Sequence, residues 1–217
     1  SPFLASANPS IGVYAKPTGI EVRLTAKALN QEGAEQMLAP LETQIRSILG
    51  DNVWGIDDEV MEKVVGDLLR ERGLTLATME SCTGGLLANL LTDISGSSDY
   101  FKGGLVAYSN EMKVAFGVDH DLIEMYGAIS SQVAEAMAQA VRDRLGADIG
   151  IGITGVAGPQ ELEGKTVGTI YIGISDGTTT RSIHTAFPQQ RQRIKRFAAM
   201  GALAELRRLL INSNSKP

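Results

Sequence analysis

The spacing of apolar positions changes near residue 57 and divides the chain in two. Before that point Ile20, Val22, Leu24 and Ala26 alternate with Glu21, Arg23, Thr25 and Lys27, the period of two expected of a half-buried strand. A helical pattern follows over about residues 31–49, and Gly50-Asp51-Asn52 breaks it. One strand and one helix make no independent core, so residues 1–50 read as a small α+β unit that joins something upstream or dimerises. No GxxG loop supports RNA binding there. From Asp57 onward helices and strands alternate. Val60, Val64, Val65, Leu68 and Leu69 form one stripe of a helix that starts at Asp57 and Asp58 and stops at Gly73. The spacing then predicts a strand over 74–77, a helix over 86–94, a strand over 104–108 and a short helix ending at Phe116. Ser130 or Ser131 caps a long helix carrying Val133, Met137 and Val141, and Ile149, Ile151 and Ile153 mark the next strand. Residues 167–174 and 179–184 pair across an Asp176-Gly177 turn, and a last helix runs over about 189–210, opened by Pro188. This order predicts an α/β fold, a three-layer α/β/α sandwich whose late hairpin makes the sheet mixed.

Chemistry concentrates where the 74–77 strand turns into its helix, at Glu80-Ser81-Cys82-Thr83-Gly84-Gly85. A strand-to-helix turn presents free N–H groups and the positive end of the helix dipole. Paired glycines let a substrate come close to that backbone, so an oxyanion held by Thr83, Gly84 and Gly85 beside a Ser81 nucleophile is one reading. The plainer one is that Ser81 and Thr83 cap the helix. Loops at the carboxyl ends of strands converge on one sheet edge, which adds Tyr108-Ser109-Asn110-Glu111-Met112-Lys113 and Thr154-Gly155-Val156-Ala157-Gly158-Pro159. With His120 and His184 the only histidines, a base for Ser81 is most simply an amine, and Lys113 is in range. A surface lysine stays protonated at neutral pH, so this role requires burial or a neighbouring cation. Otherwise Lys113 is a solvated helix residue. Cys82 competes as nucleophile, since a helix N-terminus lowers a thiol pKa. It has no histidine in a loop at that edge, and it is expected to pack.

One match is misleading. Gly150-Ile151-Gly152-Ile153-Thr154-Gly155 fits GxGxxG, with Asp176 about 20 residues on. These glycines lie inside the isoleucine strand instead of after it, and Pro159 follows too soon for a helix, so a dinucleotide site is not expected. A P-loop is also missing.

Composition narrows the remainder. The 217 residues are 43% hydrophobic and 21% charged with net charge −5, values of a globular protein without a basic face for nucleic acid. No apolar run approaches a membrane span. The lone cysteine excludes an internal disulfide and a multi-thiolate metal site, and fits a reducing, cytoplasmic setting. The chain begins at Ser1 without methionine and reads as part of a longer protein.

Six ordered segments carry a resemblance: Thr78-Met79-Glu80-Ser81-Cys82-Thr83-Gly84-Gly85, Gly96-Ser97-Ser98, Tyr108 to Lys113, Gly127-Ala128-Ile129-Ser130, Gly155-Val156-Ala157-Gly158-Pro159 and Val167-Gly168-Thr169. Over about residues 57–210 the chain resembles the C-terminal domain of the CinA family, the competence/damage-inducible proteins. Stand-alone relatives of that domain are nicotinamide-nucleotide amidohydrolases. Tyr14-Ala15-Lys16 and residues 22–27 are similar to the KH-type linker domain of full-length CinA proteins. The resemblance implies domains over 1–50 and 57–212, and an upstream molybdopterin-binding-like domain in the parent. It implies deamidation of nicotinamide mononucleotide in pyridine nucleotide recycling, with no metal or cofactor. Ser81 matches the nucleophile and Lys113 the basic residue, while Tyr108, Asn110, Thr154 and Arg191 match pocket positions, Gly155 lying in the same loop as Thr154. Phosphate is expected near Arg191. Met79 stands where alanine is common, Gln189-Gln190 replaces Gly-Asp, and residues 160–166 lack the usual glycine-rich stretch. The expected partners are the small nucleotide and a second copy in a homodimer, with no membrane and no direct nucleic-acid contact. The alternative is a non-catalytic nucleotide-binding or interaction module tied to competence or DNA damage.

Overall fold

The computed structural model describes residues 6–16, 19–187 and 190–212. The chain divides into two compact units between Trp54 and Gly55.

In the first unit, β1 (Ser10–Lys16) and β2 (Gly19–Thr25) form an antiparallel ladder from Ser10 opposite Thr25 to Lys16 opposite Gly19. Helix α1 (Gln31–Leu49) follows; the Asn30 side chain accepts the Gly33 amide at 2.9 Å and caps it. No described residue of this unit is buried. The pattern predicted β2 and α1 but missed β1, although Ile11, Val13 and Ala15 do alternate with Gly12 and Tyr14.

The second unit holds the core. Its elements are α2 (Met61–Arg72), β3 (Leu76–Glu80), α3 (Leu86–Thr92), β4 (Phe101–Val106), α4 (Asn110–Ala115) and α5 (His120–Tyr126), then α6 (Ser131–Leu145), β5 (Ile149–Gly155), β6 (Thr169–Ser175), β7 (Thr180–Ala186) and α7 (Arg191–Asn212). The five strands lie in the order β4-β3-β5-β6-β7, with β3 parallel to both β4 and β5 and with β6 and β7 antiparallel. Helix α6 covers one face, joined by α5, and α2, α3 and α7 pack together on the other. The three-layer sandwich with a mixed sheet is thus the observed architecture. Parallel β4, β3 and β5 bring their carboxyl ends side by side, and that edge holds all three predicted loops.

Packing explains the misleading glycines. A Cβ on Gly150 would stand 2.0 Å from the Ala138 carbonyl oxygen, and one on Gly152 2.3 Å from that of Ala134. Gly173 on β6 meets the Ala134 carbonyl in the same way, at 2.0 Å. These residues let the α6 backbone lie directly on the sheet. Beside them Ala77 and Met79 join Val133, Met137 and Val141 in one buried cluster.

Several expectations needed adjusting. Helix α2 starts at Met61 instead of Asp57, because residues 56–59 form a turn in which the Ile56 amide donates to Glu59 Oε2 at 2.8 Å and Asp57 takes a φ of 49°. Strand β3 reaches Glu80, three residues past its predicted end, and α5 was not foreseen. Pro188 and Gln189, expected to open the last helix, lie outside the described residues.

Candidate active site

The loop after β3 is organised by Glu80. This carboxylate is 1% exposed and turns toward α3. Its Oε2 accepts the amides of Gly85 at 3.1 Å and Leu87 at 3.0 Å, and its Oε1 that of Ala88 at 2.8 Å. The positive end of α3 is therefore neutralised by the chain's own carboxylate. Ser81 and Thr83 do not cap the helix, and Gly85 at the cap position supplies a φ of 91° that a side chain would resist. The Gly84 amide donates to the Ser81 carbonyl at 3.1 Å. The expectation that Gly84 and Gly85 amides hold a substrate oxyanion is accordingly corrected, since both are already engaged. The amides of Cys82 and Thr83 donate to no other residue among the described residues. Thr83 itself is fully buried, with an unpartnered Oγ1.

Ser81 is 8% exposed, and its amide donates to the Ile153 carbonyl at 2.9 Å, which ties the loop to β5. It continues the alternation of Ala77 and Met79, away from the side that Glu80 faces. Lys113 lies on α4, which Ser109 caps by accepting the Met112 amide at 3.3 Å. Its side chain is 2% exposed, so it is not a solvated helix residue. Its Nζ has one long hydrogen bond, 3.5 Å to the Ser109 carbonyl, and no ion pair among the described residues. Burial holds the Lys113 amine below the ordinary lysine range, and the negative charges of Glu163 and, less strongly, Glu111 partly oppose that fall. Burial pushes the Cys82 thiol up to about 12. Cys82 therefore stays a neutral thiol at pH 7, a packing residue as expected.

The remaining predicted residues fall on the same edge. Arg191, first residue of α7, donates to the Tyr108 hydroxyl at 3.0 Å and to the Gly158 carbonyl, joining the loops after β4 and β5. Tyr108 is 60% exposed, and Asn110 opens α4 at the surface. Thr154 is buried, and its Oγ1 donates to the Ala128 carbonyl at 2.8 Å, so this hydroxyl fixes the wall of the site. Gly155 ends β5, and a Cβ there would stand 2.4 Å from the Thr169 carbonyl oxygen.

Two neighbouring residues were missed. Lys195, one turn after Arg191, brings its Nζ to 3.6 Å from where a Gly84 Cβ would stand. The i,i+4 spacing from Arg191 was the available signal. Glu163, within residues 160–166, accepts the Ala128 amide at 3.2 Å and the Ile129 amide at 2.9 Å, and nothing in the pattern pointed to it. Among the described residues no group of three or more His, Cys, Asp or Glu is placed to hold a metal, and no helix is long and apolar enough to cross a membrane.

Residues 58–210 match the family model of the CinA C-terminal domain, and residues 1–55 that of the damage-inducible protein CinA KH domain. The chain belongs to the CinA family. It is 48% identical over 206 residues to a CinA-like protein of Frankia casuarinae, covering 94% of this chain and 47% of that one. A CinA-like protein of Acaryochloris marina is 44% identical, over 99% of this chain and 52% of its own. The chain thus spans about half the length of the curated CinA relatives it matches. Among solved structures, the competence or damage-inducible protein from Enterobacter asburiae superposes with a TM-score of 0.67 at 34% identity, covering 69% of this chain and 96% of its own. A CinA superfamily protein from Escherichia coli does so with a TM-score of 0.67 at 28% identity, over 75% and 98% of the two chains.

Proposed function

We propose that this CinA-family chain hydrolyses the carboxamide of nicotinamide mononucleotide, giving nicotinate mononucleotide and ammonia. The observation that carries the reading is the burial of Lys113 with a single long hydrogen bond and no ion pair among the described residues. A buried unpaired ammonium is costly, so the site favours a neutral amine, the form a general base needs. The substrate is taken from the resemblance of the Glu80 to Gly85 and Tyr108 to Lys113 segments to the nicotinamide-nucleotide amidohydrolases.

In the proposed reaction neutral Lys113 takes the proton of the Ser81 hydroxyl as its oxygen attacks the carboxamide carbon. The amides of Cys82 and Thr83 stabilise the oxyanion, each such donor contributing about 3 kcal/mol. Lys113, now charged, protonates the departing ammonia. Water then hydrolyses the Ser81 ester and releases the acid. Arg191 and Lys195 attract the phosphate, Arg191 already being held in place by Tyr108 and Gly158. Non-catalytic nucleotide binding remains the alternative outcome of the test.

Ammonia release from nicotinamide mononucleotide, without added metal, separates the two. The wild-type chain and Cys82→Ser are expected to turn over, and Ser81→Ala to bind without releasing ammonia. Binding without turnover by the wild type, or full activity in Ser81→Ala, rejects the hydrolase.

A further inference from the structure

One side chain joins segments that the strand order keeps apart. Strands β4 and β5 are each neighbours of β3, so they lie about 10 Å from one another across it. A single guanidinium nonetheless touches the loops that follow both. Arg191 donates to the Tyr108 hydroxyl, after β4, at 3.0 Å and to the Gly158 carbonyl, after β5. One helical turn on, Lys195 reaches the loop after β3 itself, its Nζ 3.6 Å from where a Gly84 Cβ would stand. The start of α7 therefore bridges the end of β3, from which Ser81 follows.

Exposure differs sharply across this bridge. Arg191 lies at the surface and Tyr108 is 60% exposed, whereas Ser81 is 8% and Lys113 2% exposed. A nucleotide cannot bring its carboxamide to groups so covered unless a neighbouring segment shifts. The bridge holds two such segments: Tyr108 leads directly into α4, which carries Lys113, and Gly158 follows Thr154 in the wall of the site. Both of its bonds run from a cation to neutral acceptors, and Arg191 pairs with no carboxylate among the described residues. A phosphate offers the same guanidinium an opposite charge and two oxygens in bidentate geometry, and is the stronger partner.

We propose that the Tyr108–Arg191–Gly158 bridge is a latch over the Ser81 loop, released by the phosphate of an incoming nucleotide, so that unphosphorylated nicotinamide nucleosides are refused in turnover as well as in binding. This deepens the amidohydrolase reading and rests on it for the substrate and for Arg191 as the phosphate anchor. In the free protein the guanidinium closes the edge. When phosphate takes it, the loops after β4 and β5 lose their common partner and part to admit the nicotinamide ring. Tyr108 thereby acts through Arg191, as a positioning residue that sets specificity. A rigid anchor would instead keep both bonds and add the phosphate to the remaining guanidinium donors.

Access to Lys113 reads the latch directly. Reductive methylation with formaldehyde and an amine-borane, followed by peptide mass mapping, reports how fast the buried amine is reached. In the whole wild-type chain inorganic phosphate should speed the labelling of Lys113, while chloride at equal ionic strength should not. Tyr108→Phe removes one bond of the latch. It should label about fivefold faster without phosphate, the usual worth of one hydrogen bond, and respond to phosphate less. In turnover, inorganic phosphate should raise kcat for nicotinamide riboside in the wild type, and Tyr108→Phe should use the riboside faster without it. Labelling of Lys113 that phosphate slows or leaves unchanged would overturn the latch in favour of a rigid anchor, as would Tyr108→Phe labelling at the wild-type rate. Faster labelling with no rise in riboside turnover would overturn the claim on specificity. If phosphate opens the way to Lys113 but nicotinamide mononucleotide yields no ammonia, the hydrolase reading falls and the latch stands.

Discussion

An ammonium group inside a protein loses hydration that only good hydrogen bonds or an opposite charge replace, and Lys113 has one contact of 3.5 Å. Its amine is accordingly held below the ordinary range, and the consequence for stability has a definite sign. Between the lowered folded value and the unfolded value near ~10.4, the unfolded chain binds the extra proton, so stability to urea should rise with pH. In Lys113→Met that alkaline rise should shrink, and the variant should be more stable than wild type at neutral pH. Turnover by the same variant should fall by about 10²–10⁴-fold, the usual worth of a general base. A stability curve parallel to wild type would refute the buried-amine description. Ser81, Tyr108, Lys113 and Arg191 could be singled out as candidates because each sits in a motif or at an element end. Lys195 offered only its i,i+4 spacing from Arg191, and Glu163 was not legible, since only the 162–165 turn brings it to the Ala128 and Ile129 amides.

At the scale of elements, the loop between β3 and α3 shows how a strand-to-helix turn can satisfy itself. Glu80 bonds three amides of the helix start, a role hidden in sequence because the strand was expected to end at Ala77. Replacing Glu80 by alanine leaves those amides, the Leu87 one buried and the other two half-buried, without their acceptor. The expected cost is at least about 2 kcal/mol in urea unfolding, with a larger loss of ammonia release because Ser81 is presented by the same loop. A smaller cost would show that water takes over the cap. Gly152→Ala tests the other face: its Cβ would meet the Ala134 carbonyl at 2.3 Å, and a soluble, wild-type-like variant would contradict the close packing of α6. The amphipathic α6 was legible from the spacing of Val133, Met137 and Val141 behind a serine cap. Strand β1 and the seven-residue α5 were missed because short patterns carry little periodic signal. The GxGxxG match failed because spacing does not say whether glycine serves a ligand or a helix backbone.

At the scale of the molecule, the sheet order follows from alternating helices and strands with a late hairpin, and it decides where chemistry can gather. The parallel strands β4, β3 and β5 end together, so distant segments of sequence share one edge. Solved CinA structures superpose over 94–98% of their own length while covering 69–75% of this chain. Residues 55–217 expressed alone should therefore fold and release ammonia as the whole chain does; loss of turnover would assign the first unit a part in the site. The most direct measurement of all is the mass of the protein quenched in acid milliseconds after mixing with nicotinamide mononucleotide, followed by peptide mapping. An acyl adduct on the peptide at Ser81, formed with one ammonia released per adduct and absent from Ser81→Ala, is the expected result. Turnover with no adduct at Ser81, or an adduct on Cys82, would contradict the proposed nucleophile outright.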